Sequence, residues 1–213
     1  MQEGRRKVGI LGGTFDPIHI GHLILALDSI EELGLSSVWF MPSGKPPHKR
    51  HREGRATDEQ RIEMVKRAIS GSPCFELHLD DMAPESYSYT YRLMERLSAE
   101  YPDTDFYFLI GADSLVYFDT WVEPGRILAC CRLGVALRGE WSYEKLRPVA
   151  ERLQKQFSGK IELLHSHLVD ISSEELRKRR AQGKEIRYFV PQGVDSYIRE
   201  QGLYKVEKEQ GGR

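Results

Sequence analysis

The sequence predicts a doubly wound α/β protein built on a mostly parallel sheet, and three observations carry that expectation. Apolar runs of strand length alternate with stretches of helical period almost from end to end. Several of those runs are apolar throughout, or β-branched and aromatic, as parallel strands buried on both faces require. A glycine-rich turn follows the first run and opens directly into a helical pattern, the order of a strand–loop–helix ligand site. Alternation of this kind implies helices on both faces of the sheet, joined by right-handed crossovers. Without an internal repeat or a low-complexity linker, residues 1–213 are read as a single domain.

The first strand is expected at Val8–Leu11, and the turn reads Gly12-Gly13-Thr14-Phe15-Asp16-Pro17-Ile18-His19-Ile20-Gly21-His22 before a helix over 21–33. Glycines allow close backbone approach and unusual φ/ψ values. The helix start offers N–H donors and a partial positive charge. His19 and His22 are three apart, so they share a helix face and can address one phosphate. The second strand, Val38–Met41, runs into the proline-rich loop Pro42–Arg52, which carries four cations and two histidines. Prolines stiffen such a loop and present its charges; Lys49 and His48 are its candidate ligand residues, with Arg50, His51 and Arg52 solvated.

Thr57-Asp58-Glu59-Gln60 reads as a capping box for a helix over 58–70. A third strand follows at Phe75–Leu79, and Ser88-Tyr89-Thr90 opens a helix over 89–100. The fourth strand, Phe106–Ile110, ends in Gly111-Ala112-Asp113. Asp113 suits either an N-cap or, just past a strand end, a ribose hydroxyl. Tyr117 and Trp121, four apart, would share a face if that segment is helical. A fifth strand at Leu133–Leu137, a helix over 142–157 and a sixth strand at Ile161–Leu164 complete the alternation. Asp170–Arg177 then reads as a second capped helix start, with Ser172 and Glu175 as its box and a helix over 173–182. Its N–H groups, with Ser172, Ser173 and Arg177, would suit a polyphosphate. The last helix, over 194–201, reads as packing, and the tail 205–213 as frayed.

Composition excludes several classes. Apolar residues make up 40% of the chain, enough for a core, and no run approaches the ~18–20 apolar residues of a spanning helix. The basic N-terminus has no long apolar region behind it, so a cytoplasmic protein is expected. Net charge is −1, so no global field draws the chain to nucleic acid or membrane. The three cysteines, Cys74, Cys130 and Cys131, lack metal-ligand spacing and read as reduced and structural, the neighbouring Cys130 and Cys131 as small core residues.

The segment Gly12–His22, with its His19-Ile20-Gly21-His22, resembles the opening of the bacterial nicotinate-mononucleotide adenylyltransferases of the nucleotidylyltransferase superfamily. The resemblance runs through six ordered elements over residues 8–204. It implies a Rossmann-like nucleotidylyltransferase fold and adenylyl transfer from ATP to nicotinate mononucleotide, giving nicotinate adenine dinucleotide (deamido-NAD) and pyrophosphate in NAD biosynthesis. It assigns His19, His22 and Arg177 to catalysis. Gly12, Gly13, Thr14, Phe15, Gly111, Asp113, Ser172 and Ser173 go to ATP. Lys49, His48, Thr90, Tyr117 and Trp121 go to the mononucleotide, the indole of Trp121 stacking on the pyridine ring. Mg²⁺ would be held mainly by ATP phosphates and water, with no protein ligand.

The chain departs from the pattern at Tyr91-Arg92-Leu93, at Leu176, and at Glu174, which is expected to point outward. Two other readings stay open: phosphopantetheine adenylyl transfer, and a nucleotide-binding module without turnover. The acid is preferred over the amide acceptor only by analogy, and the sequence leaves a homodimer open.

Overall fold

The computed structural model describes residues 5–44, 54–82, 89–137, 141–165, 167 and 169–205. Along the chain these form β1 (Arg6–Gly13), α1 (Ile20–Leu33), β2 (Ser37–Pro42), α2 (Asp58–Ile69), β3 (Phe75–Leu77) and α3 (Thr90–Glu100). There follow β4 (Thr104–Gly111), α4 (Ala112–Val116), α5 (Pro124–Cys130), β5 (Arg132–Ala136), α6 (Tyr143–Phe157), β6 (Ile161–Leu164), α7 (Ser173–Ala181) and α8 (Gln192–Glu200). A single turn of 3₁₀ helix, Phe118–Thr120, sits between α4 and α5.

All strand pairs are parallel, in the order β3-β2-β1-β4-β5-β6. The chain winds outward from β1 to β3, returns to β4 beside β1, and winds outward the other way. Strand order thus reverses between β1 and β4, which opens a crevice at their carboxyl ends.

Successive strand side chains point to opposite faces. Val8, Ile10, Phe106, Phe108 and Leu133 meet Met94, Leu97, Ile127 and Leu146 in one core. Leu11, Val38, Phe40, Tyr107 and Leu109 meet Ala26, Met64, Leu176 and Ile198 in the other. The expectation of strands buried on both faces is met most fully in β2, where all six residues are buried. A Cβ on Gly134 would lie 2.8 Å from Cδ2 of Leu109 and 3.1 Å from Cδ1 of Leu33. The missing side chain lets the end of α1 press against the sheet, which aims its start at the strand ends.

Several expectations need correction. The first strand does not stop at Leu11: Gly12 and Gly13 remain in register with Met41 and Pro42, so these glycines belong to the strand. The third strand ends at Leu77, and the final helix begins at Gln192, after Pro191. Helix α5 was not expected. It has seven residues, and its Ile127, Leu128 and Cys130 run into the apolar β5, masking its period. Cys74, Cys130 and Cys131 are free thiols, and burial pushes that of Cys131 up to about 12. Among the described residues no helix is long and apolar enough to cross a membrane.

Candidate active site

A cavity of about 280 Å³ lies over the carboxyl ends of β1, β4 and β5, reached by Gly12, Gly111 and Ala136. His19, Gly21 and His22 enter it from the N-cap and first turn of α1, and Trp121 also lines it. The two flanks come from opposite faces of the sheet. Helix α1 packs in the core of Leu11 and Leu109, whereas Trp121 packs against the core of Phe108 and Phe118.

His19 is the residue before α1 and is 5% exposed. Its ring stacks on that of His22, centroids 3.7 Å apart and planes 30° from parallel, so the two histidines do share a face. The close stack depends on the residue between them: a Cβ on Gly21 would lie 3.1 Å from Nδ1 of His19. The backbone N–H of His19 donates to Nδ1 of His22 at 3.2 Å. Because Nδ1 must offer a lone pair there, neutral His22 carries its proton on Nε2, the form that donates to an oxygen. Phe15 fixes the other side of this ring edge-on at 5.1 Å. Two helix-start N–H groups are already used. That of Ile20 goes to the carbonyl of Phe189 at 3.0 Å, and that of His22 to the carbonyl of His19 at 3.0 Å. Expected free backbone donors are therefore fewer here, and the side chains of the pair carry more of the site.

In the turn after β1, it is Phe15 rather than a glycine that takes the left-handed conformation (φ 50°), with its ring buried. Asp16 is 2% exposed and holds this turn. Its carboxylate accepts from the Tyr204 hydroxyl at 2.7 Å, from the Ala56 N–H at 3.2 Å and from Arg55 at 3.0 Å. Arg61, 4% exposed, donates to the carbonyl of Thr14 and, at 2.8 Å, to that of Ser43. Thr14 and Phe15 are thus positioned from behind by two buried charges, each met by partners as burial demands.

Helix α7 opens against the same turn. The Ser172 hydroxyl accepts from the N–H of Glu175 at 3.2 Å, the forward half of the expected capping box. The Ser173 hydroxyl donates to the carbonyl of Pro17 at 2.8 Å. Arg177 donates to the carbonyl of Asp16 and lies 3.8 Å from its carboxylate. Burial draws the Arg177 guanidinium below its ordinary pKa, and the neighbouring Asp16 opposes that fall. Ser173 and Arg177 are thus anchored to the β1–α1 turn, while Ser172 caps the start of α7, and all three lie outside the cavity lining. Glu174 points outward, paired with Lys178 at 2.7 Å. Arg179 does not stand free in solvent: its guanidinium lies over Phe189 at 4.8 Å.

The remaining candidates divide. Gly111 is the N-cap of α4, the place Asp113 could have taken; Asp113 is exposed and accepts from Nε1 of Trp141 at 3.0 Å. Tyr117 and Trp121 do not share a helix face, because α4 ends at Val116 and a 3₁₀ turn separates the two. Trp121 lines the cavity, while Tyr117 is 65% exposed and lies outside its lining. Thr90 is the first residue of α3, with Tyr89 rather than Ser88 or Thr90 before it as the cap, and it too lies outside the lining. Lys49 and His48 lie outside the described residues, as do Ser88 and the tail 206–213.

Sequence reasoning missed His167, Asp28 and Tyr204. His167 lines the cavity, and its Nδ1 lies 3.0 Å from the buried carboxylate of Asp28, which also accepts the His167 N–H at 2.7 Å. That carboxylate holds the imidazole above the usual histidine range. An acid inside an otherwise apolar helix stripe was the available signal for Asp28. Nothing local to Tyr204 foretold its bond to a residue near the other end of the chain.

The comparisons agree with this geometry. The cytidylyltransferase-like family model matches residues 10–179. A probable nicotinate-nucleotide adenylyltransferase of Geobacillus thermodenitrificans is 39% identical over 93% of this chain and 86% of its own length. One of Lachnoclostridium phytofermentans is 37% identical over 93% of this chain and 99% of its own. In fold, the nicotinic acid mononucleotide adenylyltransferase of Plasmodium falciparum, solved with NaAD, superposes with a TM-score of 0.72 at 23% identity. That match covers 93% of this chain and 97% of the other. A cavity at the strand-order reversal, a histidine pair at the start of α1 and relatives matched along nearly their whole length lead to one conclusion: the chain belongs to the nicotinate-nucleotide adenylyltransferases, within the cytidylyltransferase-like family.

Proposed function

We propose that this cavity transfers the adenylyl group of Mg-ATP to nicotinate mononucleotide, releasing pyrophosphate and leaving nicotinate adenine dinucleotide. The observation that carries the reading is the stacked His19–His22 pair at the carboxyl ends of β1 and β4. The phosphate oxygen of the mononucleotide attacks the α-phosphorus of ATP, and the bond to the bridging oxygen of pyrophosphate breaks. A phosphate monoester is already a nucleophile, so the chain supplies position and charge stabilisation rather than a base. His22 donates through Nε2 to an oxygen on the reacting phosphorus, with His19 beside it. Ser172, Ser173 and Arg177 take the β- and γ-phosphates, Arg177 turning part of its fork from Asp16 towards them. Gly12 and Gly13 bring bare backbone to the phosphate chain, and Gly111 with Asp113 faces the ribose.

Among the described residues no three His, Cys, Asp or Glu side chains gather as a ligand set. Asp16, the buried acid of the β1–α1 turn, is committed to Arg55, Ala56 and Tyr204. That arrangement suits a magnesium ion that arrives on ATP and keeps its waters. When bound it neutralises phosphate charge.

Trp121, entering from the opposite flank, is assigned to the pyridine ring, with Thr90, Tyr117, Lys49 and His48 towards the mononucleotide. The test is pyrophosphate release from Mg-ATP with nicotinate mononucleotide, nicotinamide mononucleotide and phosphopantetheine as parallel acceptors. Fast release with the nicotinate acceptor is expected. Release with phosphopantetheine alone moves the chain to another transferase class, and ATP binding without release under any acceptor makes it a binding module.

A further inference from the structure

We infer that His167, clamped by Asp28, is a side chain of the chain's own that binds the base of ATP at the far end of the cavity from the histidine pair. This rests on the adenylyl-transfer reading only for the choice of ATP as ligand. Three observations support it. His167 lines the cavity that also holds His19 and His22, although it comes from the loop between β6 and α7. Its anchor Asp28 is six residues beyond His22 on α1, ~9 Å further along the helix axis at 1.5 Å per residue. That is the scale of a nucleoside from its 5′-phosphate to its base. Leu25 and Val169, with Leu137 at the end of β5, line the same cavity and give that stretch apolar walls, which suit the faces of a flat heterocycle.

The clamp defines what the imidazole offers. A carboxylate only accepts, so Nδ1 carries a proton and donates to Asp28. Nε2 is therefore the ring nitrogen that the clamp leaves for a ligand. The backbone N–H of the same residue also goes to Asp28, at 2.7 Å, which ties ring and main chain to one buried group. Asp28 is 6% exposed, whereas the His167 side chain is 82% exposed, an arrangement of fixed root and available tip. Asp28 is the positioning residue and His167 the binding residue.

The experiment is equilibrium binding of α,β-methylene-ATP to the full chain and to His167→Ala, His167→Asn and Asp28→Asn, alongside binding of nicotinate mononucleotide. Thermal midpoints establish that each variant is folded. Loss of one ligand hydrogen bond predicts about tenfold weaker binding of the ATP analogue for His167→Ala. A smaller loss is expected for Asp28→Asn, with mononucleotide affinity unchanged in both. Unchanged affinity for the analogue, or equal weakening of both ligands, overturns the assignment. Because the readout is binding, wild-type protein that binds ATP yet never releases pyrophosphate sinks the proposed reaction and leaves this inference to be judged by its own variants.

Discussion

At the scale of single residues, the proposed reaction uses the histidine pair as donors rather than as bases or nucleophiles. The His19 N–H facing Nδ1 of His22 leaves the proton on Nε2. His22→Ala is therefore expected to lose roughly 10²–10³-fold in turnover while unfolding at the wild-type temperature, the loss typical of removing one donor to a developing oxyanion. Near-normal turnover by the folded variant removes His22 from the mechanism. Gly21→Ala tests the geometry rather than the chemistry. Its Cβ would press on the His19 ring from 3.1 Å, and a displaced ring predicts a fall in turnover of up to about 10²-fold with modest change in stability. Steady-state kinetics beside a melting curve decide it. For Trp121→Ala the expected signature is a raised KM for the mononucleotide with ATP affinity kept; parallel losses would make the indole a packing residue against Phe108 and Phe118.

The element scale shows why some of the site was legible and some was not. A short spacing read correctly where one helix start carries it, as with His19 at the N-cap of α1 and His22 in its first turn. The same reasoning failed for Tyr117 and Trp121, because α4 is only five residues long and gives way to 3₁₀ geometry before the second aromatic arrives. The glycines of β1 were assigned to the turn, whereas strand pairing with β2 reaches Gly13 and leaves the unusual backbone to Phe15.

Contacts across the chain were not legible at all. The end of the last helix was read as packing, yet Tyr204 donates to Asp16 across 188 positions, and burial pushes that phenol well above its ordinary range. Tyr204→Phe leaves the buried Asp16 carboxylate short of a donor, so a loss of roughly 1–3 kcal/mol in denaturant unfolding is expected. Because Asp16 also faces Arg177, turnover should fall with it. Unaltered stability would show that the hydroxyl contributes nothing to the turn.

At the scale of the whole molecule, the sheet order explains why residues from positions 12 to 177 share one rim. Strand β1 sits at the centre beside β4, the chain winds away from them in both directions, and the carboxyl ends of these two strands flank the crevice. The proposed function uses both flanks of the cavity: α1 from one face of the sheet for the ATP phosphates, Trp121 from the other for the acceptor ring. The proposed function requires direct transfer between two substrates held on opposite flanks. It is tested most directly by the stereochemical course at phosphorus, using ATP made chiral at its α-phosphate by sulfur and following the configuration in the dinucleotide product. A single in-line displacement predicts inversion. Retention would mean two displacements, with the adenylyl group passing through a covalent bond to the protein, and would turn one of the two histidines from donor into nucleophile.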